Sequence, residues 1–313
     1  MSERKIVTHA PGELIDFETV FTLNPDIEGT PTKLGHVEHV EYKTAVYEDG
    51  KTYRKYCNVY LPYCYDPADK SRKYNVLYYQ HGNTCDPEIF AGQFRTRFDM
   101  LFESGEIEPC IIVSTTYYFD VGVDVATRKR TGGVPAGDGG WPGVKPNFYR
   151  EVVEDIIPAV ELKYNTYLED GSPEAIKATR DHRAFSGYSR GAVATWYVFH
   201  NAFEYFKWYA PMSCMTTAGK RIREPVSEQD VMDYLQAPIK AHPELPFYIF
   251  ATNGGPNDVA QMTEQMKYIP KGECFSYGKD PEKNNIYFSV SEFRHTDLLV
   301  PYYYWNSLQV LFK

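Results

Sequence analysis

Two short stretches near the start of the chain, each mixing apolar with polar positions, read as strands. HVEHVEYKTAVY (36–47) and KTYRKYCNVYLP (51–62) flank Glu48-Asp49-Gly50. Two such stretches joined by a tight Asp-Gly turn predict a β-hairpin. Further on, YNVLYYQHG (74–82) reads as a short apolar strand ending in His81-Gly82, and PCIIVSTTY (109–117) is almost continuously apolar, the pattern of a strand buried on both faces. Residues 87–104 between them have helical spacing. Residues 118–147, which include TGGVPAGDGGWPGVKP, have no period and are expected to form a long loop. Phe148, Val152, Ile156, Val160 and Leu162 then mark an amphipathic helix over 148–164.

From there strands and helices take turns. The expected order is strand HRAFSG, helix 190–202, strand FKWYAPMS, helix 228–240, strand PFYIFAT, helix 259–268, strand NIYFSVSE and helix 298–312. A hairpin followed by alternating strands and helices implies an α/β fold, with a mainly parallel sheet covered by helices on both faces. The carboxyl ends of such strands are where a site belongs. Residues 1–32 read as an irregular arm. With no linker-like composition and no internal repeat, 1–313 is expected to be one domain.

Composition narrows the function. A net charge of -9 over 313 residues argues against nucleic acid and anionic membranes as partners, because both attract clustered Lys and Arg. The sequence has no apolar run of the roughly 18–20 residues that a membrane helix needs, and its first residues have no apolar segment typical of a leader. As written it is expected to be cytoplasmic, or secreted if the N-terminus has been trimmed. The 6 cysteines are scattered and are expected to be reduced, with Cys57 and Cys64 the pair closest to bridging. Tyrosine is abundant, with 27 residues, which fits either packing at the core rim or a surface that stacks on sugars and aromatic groups.

The chemistry centres on Gly187-Tyr188-Ser189-Arg190-Gly191, which lies between an apolar strand and a helix. G-x-S-x-G is short enough to arise by chance, but the strand-turn-helix context is what a nucleophile elbow requires. There the serine adopts a strained backbone at a helix N-terminus, where free N–H groups favour an oxyanion. A serine hydroxyl needs a base. His200 lies inside the following helix and His242 at the amino end of a strand, so His295, after the last strand, is the candidate base. Asp258, just past the preceding strand, is the candidate acid, although it also suits a helix cap; its rival Asp297 reads as the cap of the final helix. The oxyanion donors are expected to be the amide of Arg190 and that of Asn83, with Thr84 in reserve. Tyr118, Phe119 and Trp141 in the long loop are candidate substrate-binding residues. His36 and His39 would point to opposite faces of a strand, and no metal or cofactor motif is present.

With these residues in view, the sequence resembles feruloyl esterases of carbohydrate esterase family 1, of the xylanase-associated type. The resemblance runs from about residue 37 to the C-terminus. It is densest in FYREVVEDIIPAVELKYNTY, HRAFSGYSRGAVATWYVFHNAFEYFKWYAPMS, FYIFATNGGPNDVAQMTEQM and NIYFSVSEFRHTDLL. It implies an α/β-hydrolase fold, a triad on Ser189, Asp258 and His295, and no cofactor. The implied substrate is feruloylated arabinoxylan or xylo-oligosaccharide, cleaved through an acyl-enzyme. The sequence departs from the family where G-x-S-M-G-G is usual: here it is GYSRGA, with Arg190 in place of an apolar residue. An acetyl(xylan) esterase, or a small-acyl esterase like S-formylglutathione hydrolase, would use the same triad. A non-catalytic carbohydrate-binding scaffold is the reading from a different class.

Overall fold

The computed structural model describes residue 27 and residues 29–83, 85–118, 123–124, 129–130, 147–221, 224–255, 258–291 and 293–313. Most of the expected N-terminal arm lies outside these residues. The hairpin is β1 (His36–Thr44) and β2 (Tyr53–Leu61), antiparallel with Val40 opposite Cys57. Along the second half of β1, Val40, Tyr42 and Thr44 are buried while their neighbours are exposed, as alternation at a sheet edge requires.

The remaining large strands are β3 (Val76–Gln80), β4 (Ile111–Thr115), β7 (Arg183–Tyr188), β8 (Trp208–Met212), β9 (Tyr248–Asn253) and β10 (Ile286–Val290). Their order in the 8-stranded sheet is β1-β2-β4-β3-β7-β8-β9-β10, parallel from β4 onward. Every residue of β3, β4, β7, β8 and β9 is buried, which explains their largely apolar sequences. The stretch expected to be only loop contains a two-residue antiparallel pair, β5 (Val123–Asp124) with β6 (Lys129–Arg130).

Helices cover the sheet in two groups. α5 (Arg190–Asn201) packs on β7, β8 and β3 and against α6 (Glu228–Ala241), while α1 (Arg95–Glu103) meets α8 (Val300–Ser307). Residues 148–161 are continuously helical, as expected, but α2 (Phe148–Arg150) and α3 (Ile157–Glu161) flank a π-helical stretch, Glu151–Ile156. Glu151 is buried there and pairs with buried Lys55 at 2.5 Å. The expected last helix is shorter than its pattern suggested: a 3₁₀ turn, Asp297–Leu299, leads into α8, which ends at Ser307.

One consequence of the strand order sets up the site. β3 leads to its neighbour β4 on one side, and the chain then crosses back to β7 on the other. The loops leaving β3 and β7 therefore diverge and open a crevice at the carboxyl edge, the switch point where α/β sheets bind ligands.

Candidate active site

Ser189 leaves β7 at this crevice with φ +57° and ψ -119°, a conformation that costs a non-glycine residue on the order of 1–3 kcal/mol. The surroundings impose it. Its N–H donates to Met212 O of β8 at 2.8 Å, and its carbonyl accepts Ala192 N–H at 2.8 Å as α5 begins. The turn is tight enough to exclude side chains on either side. A Cβ on Gly187 would stand 2.3 Å from Gly191 O, and one on Gly191 would stand 2.0 Å from Gln80 O. The two glycines of the motif are thus required by packing between β3, β7 and α5.

His295, after β10, places Nε2 2.8 Å from Ser189 Oγ and Nδ1 2.6 Å from Asp258 Oδ1. The carboxylate only accepts, so Nδ1 carries the proton and Nε2 presents a lone pair to the serine hydroxyl. Asp258 has no exposed side-chain surface, whereas His295 is 40 % exposed. Burial keeps the carboxylate away from water, and the Gly254 N–H, 2.5 Å from Oδ2, stabilises its charge. Gly254 is itself necessary: a Cβ there would meet Phe293 O at 2.4 Å and Asp258 Oδ2 at 2.5 Å. Gly255 N–H closes the junction by donating to Phe293 O at 2.8 Å, which ties the Asp258 loop to the His295 loop. The Tyr188 ring lies 4.9 Å from the imidazole.

Neither aspartate takes the helix-cap position. Asp258 does not cap α7 (Ala260–Met266): the cap position is Val259, and the carboxylate turns back to Gly254 and His295. Asp297 is not the cap of the last helical segment as expected. Thr296 takes that position and its hydroxyl accepts Leu298 N–H, while Asp297 Oδ2 receives Cys85 Sγ–H at 3.5 Å. His200 is turned away from the site, stacked on Tyr234 with Nδ1 2.7 Å from Tyr234 O. His242 lies near Glu204 and Glu244. All 6 cysteines are free, Cys57 and Cys64 among them.

Of the oxyanion candidates, Arg190 opens α5 directly after Ser189. Asn83 follows Gly82, where an added Cβ would lie 3.5 Å from Ser189 Cβ. Thr84, Phe119 and Trp141 lie outside the described residues. Tyr118 is 7 % exposed; its ring stacks on His81 and its hydroxyl donates to Asn83 O. That placement supports the Asn83 loop and leaves little ring surface for stacking on a substrate. Sequence reasoning had not singled out His81, although an internal histidine closing an apolar strand was visible. A cavity of about 750 Å³ is lined by Met215, Thr217, Glu224, Gln261 and Tyr268 among others. None of Ser189, Asp258 and His295 lines it.

Comparison with known proteins agrees with this geometry. A model of the Esterase family matches residues 54–268, a span that contains Ser189 and Asp258 and ends before His295. Endo-1,4-beta-xylanase Y of Acetivibrio thermocellus is 32 % identical over 243 residues, covering 76 % of this chain and 20 % of that protein. The chain therefore spans about a fifth of that curated relative. Among solved structures, a mutant feruloyl esterase module from Clostridium thermocellum complexed with sinapinate superimposes with a TM-score of 0.76 at 27 % identity, covering 99 % of this chain and 96 % of that one. A ferulic acid esterase from the fungus Anaeromyces mucronatus has a TM-score of 0.59 at 18 % identity, covering 95 % of this chain and 98 % of that one; it shares the fold.

Proposed function

The chain belongs to the Esterase family, and from that premise we propose that it is a serine esterase that cleaves feruloyl and related hydroxycinnamoyl esters of plant cell-wall arabinoxylan. The observation that carries the reading is the continuous hydrogen-bonded series Ser189–His295–Asp258 at the switch point of the sheet.

Each residue has a distinct task. As Ser189 Oγ attacks the ester carbonyl, His295 Nε2 takes its proton, and buried Asp258 stabilises the imidazolium that results. The carbonyl oxygen becomes an anion facing the amides of Arg190 and Asn83. Collapse of the tetrahedral species expels the sugar alcohol, which receives the proton from His295, and leaves the acyl group on Ser189. Water, deprotonated by the same imidazole, then attacks the acyl-enzyme and releases the carboxylic acid. No step calls for a metal or redox group.

Two similarities support the acyl group and the polysaccharide. The feruloyl esterase module that covers nearly the whole chain was solved with sinapinate, a hydroxycinnamate. The curated relative is a xylanase. The test is a comparison of kcat/KM for methyl ferulate, methyl sinapate and methyl acetate. Hydroxycinnamates are expected to be turned over at least about tenfold more efficiently than a small acyl ester of similar leaving-group reactivity, a difference of about 1.4 kcal/mol in transition-state binding. A preference for the acetyl ester would reassign the chain to small acyl groups while leaving the serine mechanism in place.

A further inference from the structure

His81 follows the last residue of β3 and is fully buried. Its Nδ1 lies 2.7 Å from Gly82 O, the carbonyl of the next residue. A carbonyl only accepts, so Nδ1 carries the proton. The neutral ring must then accept at Nε2, where Thr116 Oγ1 lies 2.8 Å away and donates. The same Thr116 oxygen receives Tyr118 N–H at 3.2 Å, which leaves its hydroxyl proton for the imidazole. Tyr117 and Tyr118 both pack against the ring, with centroids at 4.9 and 5.2 Å, and against each other at 4.6 Å. Tyr118 also reaches past the imidazole and donates its hydroxyl to Asn83 O.

These contacts converge on one peptide unit. A trans peptide is planar, and its C=O and N–H point in opposite directions. When His81 fixes the direction of Gly82 O, it also fixes that of Asn83 N–H. The unit lies against the nucleophile, since a Cβ on Gly82 would come within 3.5 Å of Ser189 Cβ. The sheet ladder does not need this histidine, because the pairing of β3 with β4 and β7 ends at Gln80. We infer that His81 is a positioning residue: through Gly82 O it aims the Asn83 amide at the oxyanion formed over Ser189, and Thr116 locks the tautomer that does so.

The inference rests on the reading of Ser189 as nucleophile and Asn83 as oxyanion donor, and it does not depend on which acyl group is cleaved. Asparagine places its amide nitrogen near the position of Nδ1, whereas glutamine places it near Nε2. Loss of an oxyanion donor costs about 10²–10³ in kcat, so misaiming one should cost His81→Leu about 30-fold or more, with KM within about threefold. His81→Asn should recover most of the lost kcat and His81→Gln should not, on both 4-nitrophenyl acetate and methyl ferulate. Affinity for an arylboronic acid, whose tetrahedral adduct carries an anionic oxygen, should fall in the same order. A folded His81→Leu protein with kcat within threefold of wild type, or equal kcat for the Asn and Gln variants, would overturn the assignment. If His81→Leu does not fold, Thr116→Val decides: kcat should fall several-fold at constant KM, and an unchanged kcat rejects the idea. The underlying reading fails separately, if wild type resists a serine-directed fluorophosphonate.

Discussion

The carbonyl oxygen of Gln80 occupies the space a side chain on Gly191 would need, 2.0 Å from where its Cβ would stand. Gly191 is the second residue of α5 and Gln80 ends β3, so this contact sets how closely the helix that follows Ser189 approaches the strand that leads to Gly82 and Asn83. Gly191→Ala must push backbone against backbone. We expect a loss of about 3 kcal/mol or more in unfolding free energy, the upper end for overpacking. Turnover should fall as well, because the first turn of α5 shifts relative to Gly82. Urea denaturation and kcat measured on the same preparation test both; a variant as stable and active as wild type would show that the contact relaxes freely.

Ser189→Ala is expected to fold normally and to lose up to about 10⁶ in kcat. Ser189→Gly should be equally inactive but more stable than Ser189→Ala. Glycine accepts a φ of +57° without a Cβ clash, which recovers part of the order of 1–3 kcal/mol held in the turn. Thermal melting of the two variants side by side makes the comparison, and a lower melting temperature for the glycine variant contradicts it.

Asp258→Asn should lower kcat by about 10⁴, the scale for an acid that fixes the tautomer of a catalytic imidazole. Asp297→Asn should remain within about tenfold of wild type, since its recorded contact is with Cys85 and not with His295. Similar losses in both variants, with both folded, would move the acid role.

Stability should weaken on the acid side through two histidines away from the site. Burial holds His200 below its ordinary value of 6.5, and the hydrogen bond to Tyr234 O only partly opposes it. Burial likewise lowers His182, which is stacked on Tyr167. A depressed folded pKa means that the unfolded chain binds the proton more readily. Their stabilising contribution is therefore complete above about 6.5 and is lost as pH falls through that value toward the lower folded one. The urea midpoint should drop between pH 7.5 and 5.5, and His200→Asn should make the drop smaller. An identical drop in the variant would place the acid sensitivity elsewhere.

The sequence by itself determined most of the elements and singled out Ser189, Asp258 and His295 as candidates, which the structure brings together. An Asp-Gly turn between two strand-like stretches marked the hairpin, and a nearly continuous apolar run marked a strand covered on both faces, because burial acts on each strand locally. Ser189 was legible because an elbow is a local turn. Asp258 and His295 followed because a parallel sheet places the ends of successive strands along one edge. Tertiary structure alone decided how these residues meet. Gly254 was visible as part of a glycine-rich loop, but only the approach of Phe293 O explains why no side chain fits there. Asp297 looked like a cap until Thr296 was seen in that position, since capping depends on φ and ψ and not on residue type alone. Tyr118 was expected at a substrate surface, yet it lies under the loop, bonded to a residue 35 positions earlier. Thr116, the partner of His81 Nε2, is equally remote along the chain. Periodicity reports which face of an element is buried; it carries no information on which distant side chain waits there.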